Sequence, residues 1–129
     1  MNSRGGFTLI ELIMVIIILG ILSAVAIPKY VDLQAEARAA TADGVLGAVA
    51  SACAVNYAAV HTKTVPPPAI SSCALLNGAI TGSGVTIGAG QGAGECSFNV
   101  GASVFAFTLT PETATEPCSV AKTTGKWPG

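Results

Sequence analysis

Charge is what this sequence has least of. Only 10% of its 129 residues are Asp, Glu, Lys or Arg, and the net charge is −1. An ordinary soluble domain carries about a quarter of its residues charged. The six Lys and Arg are scattered, so nucleic-acid binding has no electrostatic footprint and no nucleic acid is indicated as a partner. Aromatics are 5% of the chain, too few for a base-stacking surface. There is one histidine, His61, and the four cysteines form no CxxC pair, so the ligand spacing of a zinc site is missing. Serines and threonines are plentiful, but none has an identifiable base, and no catalytic constellation emerges. The expectation is therefore a protein that is not an enzyme and holds no metal or cofactor.

What is present is hydrophobicity, and it is concentrated. Apolar residues make up 51% of the chain and mean hydropathy is +0.66. From Leu12 to Ile27 every residue except Gly20 and Ser23 is apolar. Phe7 to Ile27 as a helix spans about 31 Å, the thickness of a bilayer core. Arg4 precedes it, which places the amino end on the cytoplasmic side. A plain transmembrane anchor fits this pattern. So does a secretory signal peptide, because Ala24-Val25-Ala26 matches the small-residue cleavage pattern and would release a protein beginning at Ile27. Against the signal peptide stands a run longer than the usual apolar core of about 7–15 residues.

Glu11 argues for a third reading. A carboxylate inside a membrane helix costs about 2–3 kcal/mol even on lenient scales and marks function by default. It needs a partner, yet no Lys, Arg or His lies between Phe7 and Pro28. Cutting the chain after Gly6 creates one. The new α-amine at Phe7 would sit one helical turn, about 6 Å, from Glu11, on the same subunit or a neighbour, and the pair would offset much of the desolvation cost.

Gly6-Phe7-Thr8-Leu9-Ile10-Glu11, behind a short basic leader and ahead of a long apolar helix, resembles the type IV prepilin signature, with a match running from Gly6 to Pro28. The resemblance implies that a membrane peptidase cuts between Gly6 and Phe7 and N-methylates Phe7. It further implies that the product waits in the bacterial inner membrane until pilus assembly machinery moves it into an extracellular homopolymer. The stretch Pro28-Lys-Tyr-Val-Asp-Leu-Gln-Ala-Glu-Ala-Arg-Ala-Ala-Thr is similar to mannose-sensitive haemagglutinin-type pilins, which implies surface attachment. A type II secretion pseudopilin shares the whole signature and is the alternative. A secreted or anchored soluble protein of another activity is the second.

Beyond Pro28 the chain stays helical in composition. Residues 29–61 are Ala-rich with no internal proline. Leu46, Val49, Cys53, Tyr57 and Val60 recur at steps of three and four, one apolar stripe suited to packing on the chain's own domain. Pro28 removes the helical bond to Ala24 and is expected to kink the helix. Gly20 weakens the helix one to two turns earlier. The resemblance implies that Gly20–Pro28 loses helical order inside a filament.

The composition shifts after His61, where Pro66-Pro67-Pro68 cannot continue a helix. Ala69 to Gly94 reads as loop, with a turn at Asn77-Gly78. Strands are expected at Cys96–Val100, Ser103–Thr110 and Cys118–Lys122, with a weaker one at Gly84–Gly88. Gly88-Ala-Gly90-Gln-Gly92-Ala93 satisfies GxGxxA, but a strand follows where a dinucleotide fold needs a helix, so a surface loop is expected. Glu112 and Glu116 lie in a proline-flanked loop and read as solvated.

The predicted fold is α+β: a long amino-terminal helix spine with a small antiparallel sheet packed on its carboxy-terminal half, stapled by disulfides. The divisions are a leader at 1–6, a membrane or filament-core helix at 7–28, an amphipathic half at 29–61 and a head at 62–129. Four cysteines allow three connectivities. Pairing sequence neighbours gives Cys53–Cys73, tying the helix to the loop leaving it, and Cys96–Cys118, as the carboxy-terminal disulfide of many type IV pilins implies.

Overall fold

The computed structural model describes residues 6–80 and 84–127. Helix α1 runs Leu9–Thr62. A second helix, α2, spans Cys73–Ala79, and four strands follow: β1 (Gly88–Ala89), β2 (Glu95–Val100), β3 (Ser103–Thr110) and β4 (Ser119–Lys122). The strands form one antiparallel meander in the order β1-β2-β3-β4. The fold is α+β, as the sequence suggests. By internal contacts the chain divides into residues 1–35 and residues 36–129.

In the first unit α1 is apolar on every side from Leu12 to Ile27, and every described residue is exposed. It is long and apolar enough to cross a membrane. The helix is unbroken through Gly20 and Pro28. Ser23, between them, turns its hydroxyl onto the Leu19 carbonyl at 2.6 Å, which keeps a polar group satisfied within the apolar stretch and is a contact that bends helices.

In the second unit the stripe on α1 meets the sheet. Ala42, Val49 and Cys53 are buried, and Val45 and Leu46 are half-buried against the same core. The spacing of three and four puts them on one face of the helix. Alternation in the strands supplies the other half: Cys96 and Phe98 of β2 and Phe105, Phe107 and Leu109 of β3 are buried. The Phe98 and Phe105 rings lie 5.9 Å apart, and Trp127 closes edge-on against Phe105 at 5.1 Å. Val100 pairs with Ser103, so the β2–β3 turn is Gly101-Ala102. Its first residue sits at φ +60°, a conformation that favours glycine and suits a two-residue hairpin.

Two expectations about the 69–94 stretch are corrected. Asn77-Gly78 lies inside α2 and is not a turn. Ser72 caps this helix, its hydroxyl accepting from the Leu75 amide at 3.4 Å, and Leu76 is buried beneath it. The weak strand sits at Gly88–Ala89 in place of Gly84–Gly88, held by pairing to Ser97 and Cys96.

The disulfides are also corrected. Cys53 bonds Cys118, with Cα atoms 5.2 Å apart, and Cys73 bonds Cys96, with Cα atoms 5.6 Å apart. The sequence-neighbour pairing Cys53–Cys73 and Cys96–Cys118 fails on sheet geometry. Strand β3 lies between β2, which holds Cys96, and β4, which Cys118 precedes. Two strand spacings are roughly 9–10 Å, beyond the ~7 Å limit for a bridge. The observed pairs are nested: one ties α1 to the lead-in of β4, the other ties the start of α2 to β2.

Candidate functional site at the amino terminus

Thr8 is the residue before the first turn of α1, and Glu11 lies three residues on. The Thr8 amide donates to Glu11 Oε2 at 2.8 Å, and the Thr8 hydroxyl donates to the same oxygen at 2.7 Å. The Glu11 amide returns a bond to Thr8 Oγ1 at 3.4 Å. This reciprocal pattern is a capping box, which satisfies two of the amide donors left over at a helix start. Thr8-Leu9-Ile10-Glu11 spells the box in sequence, a signal masked by the search for a charged partner. In the uncut chain Phe7 contributes an amide nitrogen and not an amine, so the partner of Glu11 here is Thr8. Gly6, Phe7, Thr8 and Glu11 are all exposed.

Elsewhere the sequence candidates are placed as follows. Glu112 is buried, with 9% exposure, which corrects its reading as solvated. Its Oε2 accepts from Asn56 Nδ2 at 3.0 Å and from the Ile70 amide at 3.4 Å, so the carboxylate bonds both α1 and the loop after it. Nothing in the sequence around Pro111-Glu112 marks this, because both partners lie far away in the chain. Glu116 is exposed. His61 is exposed and faces the Tyr57 and Ala114 carbonyls through its two ring nitrogens.

The GxGxxA stretch is a loop, and its amides are already engaged. The Gln91 and Gly92 amides both donate to Glu95 Oε2 at 2.9 Å. The Gly92 amide first, and Gln91 with it, hold the Glu95 carboxyl below its ordinary value. Gly90 lacks a side chain because Glu95 Cγ lies 2.5 Å from where a Cβ would be. Lys122 pairs with Asp43 of α1 at 2.6 Å and lies over the Trp127 ring. Among the described residues no group of His, Cys, Asp and Glu is arranged to hold a metal ion.

Residues 1–27 match the family model described as the prokaryotic N-terminal methylation motif. The amino terminus of the chain thus carries this motif. The chain is 51% identical over 61 residues to a type IV narrow pilus major component of Thermus thermophilus, covering 47% of this chain and 51% of that protein. To a type IV major alpha-pilin of Moraxella bovis it is 44% identical over 64 residues, 50% of this chain and 39% of the relative. A type II secretion system core protein G of Pseudomonas aeruginosa is 41% identical over 51 residues, 40% of this chain and 36% of that protein. The matches span about half or less of these pilin-type relatives. No solved structure matches the chain significantly.

Proposed function

We propose that this chain is a structural subunit of a type IV pilus, held in the inner membrane by its apolar helix and then polymerised with its own kind into an extracellular fibre for attachment or motility. The observation that carries the reading is Glu11: a carboxylate at the start of a wholly exposed apolar helix, one turn from the Gly6–Phe7 bond. The methylation motif over residues 1–27 and the relatives named as pilins support it. In this reading a prepilin peptidase removes residues 1–6 and methylates Phe7. Residues 7–28 form the membrane and later the filament core, residues 29–61 carry the head, and residues 62–129 face outward.

The mechanism follows from solvation. Phe7–Ile27 exchanges lipid for the same segment of other subunits, so extraction exposes little apolar surface to water. A Phe7 amine meeting Glu11 of a neighbour penalises a wrong axial register, because a misplaced subunit buries an unpaired charge. Gly20 and Pro28 are the positions at which α1 yields when subunits pack in the filament. Electron microscopy of sheared surface material tests the reading: filaments built from this chain support it, and their absence from cells that make and process the chain counts against it.

The similarity to the type II secretion core protein favours a second reading, a pseudopilin forming a short periplasmic piston. The two disulfides are compatible with both readings, since the periplasm and the cell exterior are both oxidising.

A further inference from the structure

The four half-cystines converge on one core. Cys53, Cys96 and Cys118 are 1%, 0% and 4% exposed, and Cys73 packs against the same cluster. Asn56 Nδ2 donates to the Pro68 carbonyl at 3.1 Å, so the segment leaving α1 folds back along the helix. Ala74 and Leu75 line one cavity with Asn56, which brings the start of α2 to the part of α1 that holds Cys53. Both contacts lie within residues 56–79 and involve no strand. Local packing thus carries Cys73 toward Cys53, whereas its bridge to Cys96 depends on β2.

Chain statistics do not choose the observed partners either. Cys73 and Cys96 are 23 residues apart, and the other two sequence-neighbour intervals are similar. Closing the 65-residue interval of Cys53 and Cys118 is about fivefold less probable in an unfolded chain than closing one of 23. The first bond therefore joins sequence neighbours. Of the three neighbour bonds, Cys73–Cys96 is native and leaves Cys53 and Cys118 to pair. The other two, Cys53–Cys73 and Cys96–Cys118, imply each other, and β3 keeps the second from closing in the folded sheet. A chain that carries both has no free thiol with which to correct itself.

We propose that this chain is a substrate of a thiol–disulfide isomerase, a protein with a reduced, accessible cysteine, and that Cys73 is the sulfur at which the bridges are exchanged. The inference uses the pilus reading only to place the head beyond the membrane, in an oxidising compartment. There Cys53 and Cys73 emerge ahead of Cys96, which favours the misbridge further.

The exchange conserves bonds and electrons. The isomerase thiolate attacks Cys53 of the Cys53–Cys73 bridge, forming a mixed disulfide and releasing the Cys73 thiolate. That thiolate attacks Cys96 of the Cys96–Cys118 bridge and releases the Cys118 thiolate. Cys118 then attacks Cys53 in the mixed disulfide, and the isomerase thiolate leaves unchanged. Two bridges exist before and after, and neither oxidant nor reductant is consumed. Burial of Cys53, Cys96 and Cys118 closes the product to further attack, which makes the nested pairing the end point.

The test uses the full chain, reduced in detergent and reoxidised with oxidised glutathione. Samples are blocked with iodoacetamide, and the bridges are mapped by mass spectrometry without reduction. Without isomerase, about a third or more of the oxidised chain is expected to hold Cys53–Cys73 with Cys96–Cys118. A purified bacterial periplasmic disulfide isomerase, reduced and substoichiometric, is expected to convert this fraction about tenfold faster than reduced glutathione at the same concentration. Cells lacking that isomerase are expected to accumulate misbridged chain about threefold over the parent. The double variants Cys53→Ala/Cys118→Ala and Cys73→Ala/Cys96→Ala keep one native bridge each and cannot misbridge. Each is expected at equal levels in both hosts.

Nested pairs alone at every time without isomerase overturn the proposal. So does a misbridged fraction that the isomerase leaves unchanged, or a double variant that falls in the deficient host as wild type does. Four free thiols on chain recovered from cells overturn it as well, and strike the membrane placement with it. Correctly bridged chain that never forms filaments supports the exchange and strikes the pilus reading alone.

Discussion

Asn56 and Glu112 join across the second unit: Nδ2 of Asn56, on α1, donates to Oε2 of Glu112 at 3.0 Å. The same oxygen takes the Ile70 amide, and the Glu112 amide donates to the Ile70 carbonyl at 2.9 Å. One buried glutamate thus fastens the loop after β3 to the segment that leaves α1.

Glu112→Ala removes the acceptor shared by the Asn56 side chain and the Ile70 amide at a buried position. The expected loss is about 2–3 kcal/mol of unfolding free energy, because leaving a buried donor unsatisfied costs more than the net worth of the bond. Glu112→Gln keeps one acceptor oxygen and is expected to lose about half as much. Thermal unfolding of the oxidised full chain in detergent, followed by circular dichroism, checks both values.

The nested disulfides give a sharp chemical expectation. Peptide mapping without reduction should recover Cys53 linked to Cys118 and Cys73 linked to Cys96. In the chain-entropy picture the 65-residue separation of the first pair stabilises by about 4 kcal/mol, and the 23-residue separation of the second by about 3 kcal/mol. Removing Cys53 and Cys118 together should therefore lower the melting temperature more than removing Cys73 and Cys96.

Gly90 and Gly92 should respond differently to the same change. A Cβ at Gly90 would lie 2.5 Å from Glu95 Cγ, whereas at Gly92 the nearest atom is Glu95 Cβ at 3.6 Å. Gly90→Ala is expected to destabilise by about 1–3 kcal/mol, the range for forced overpacking. Gly92→Ala should stay within about 0.5 kcal/mol of wild type, as surface changes do. Urea unfolding midpoints of the two variants decide the comparison.

Glu95 sets a pH dependence whose sign is fixed. Hydrogen bonds from the Gly92 and Gln91 amides favour its charged form, so its carboxyl titrates lower in the folded chain than the ordinary 4.5. A depressed folded value contributes stability that is present above the unfolded value and is lost as pH falls through the folded one. Wild type should melt higher than Glu95→Gln at neutral pH, and the gap should close as pH falls below about 4.5 toward strong acid. A gap that stays constant with pH would contradict the amide contacts.

Local features were legible in the sequence and distant ones were not. The helix stripe at Val49 and Cys53 and the strand at Ser103–Thr110 follow from periodicities contained in a few residues. The disulfide partners depended on strand order, which no local spacing encodes. Burial of Glu112 depended on Asn56 and Ile70 arriving from elsewhere. Helix α2 was obscured because Asn77-Gly78 carries a strong turn signal, and the burial of Leu76 with the Ser72 cap overrides it. At the amino terminus the residues Thr8 and Glu11 spelled their own contact, although the apolar run drew the reading toward an ion pair.

The central claim is that Glu11 is tolerated in an apolar helix because the chain is cut beside it. Mass spectrometry of the mature amino terminus, on protein recovered from the membrane of the native host, tests this most directly. The account predicts a chain that begins at N-methyl-Phe7, with residues 1–6 removed. A chain beginning at Ile27, or one still carrying Met1, would contradict it.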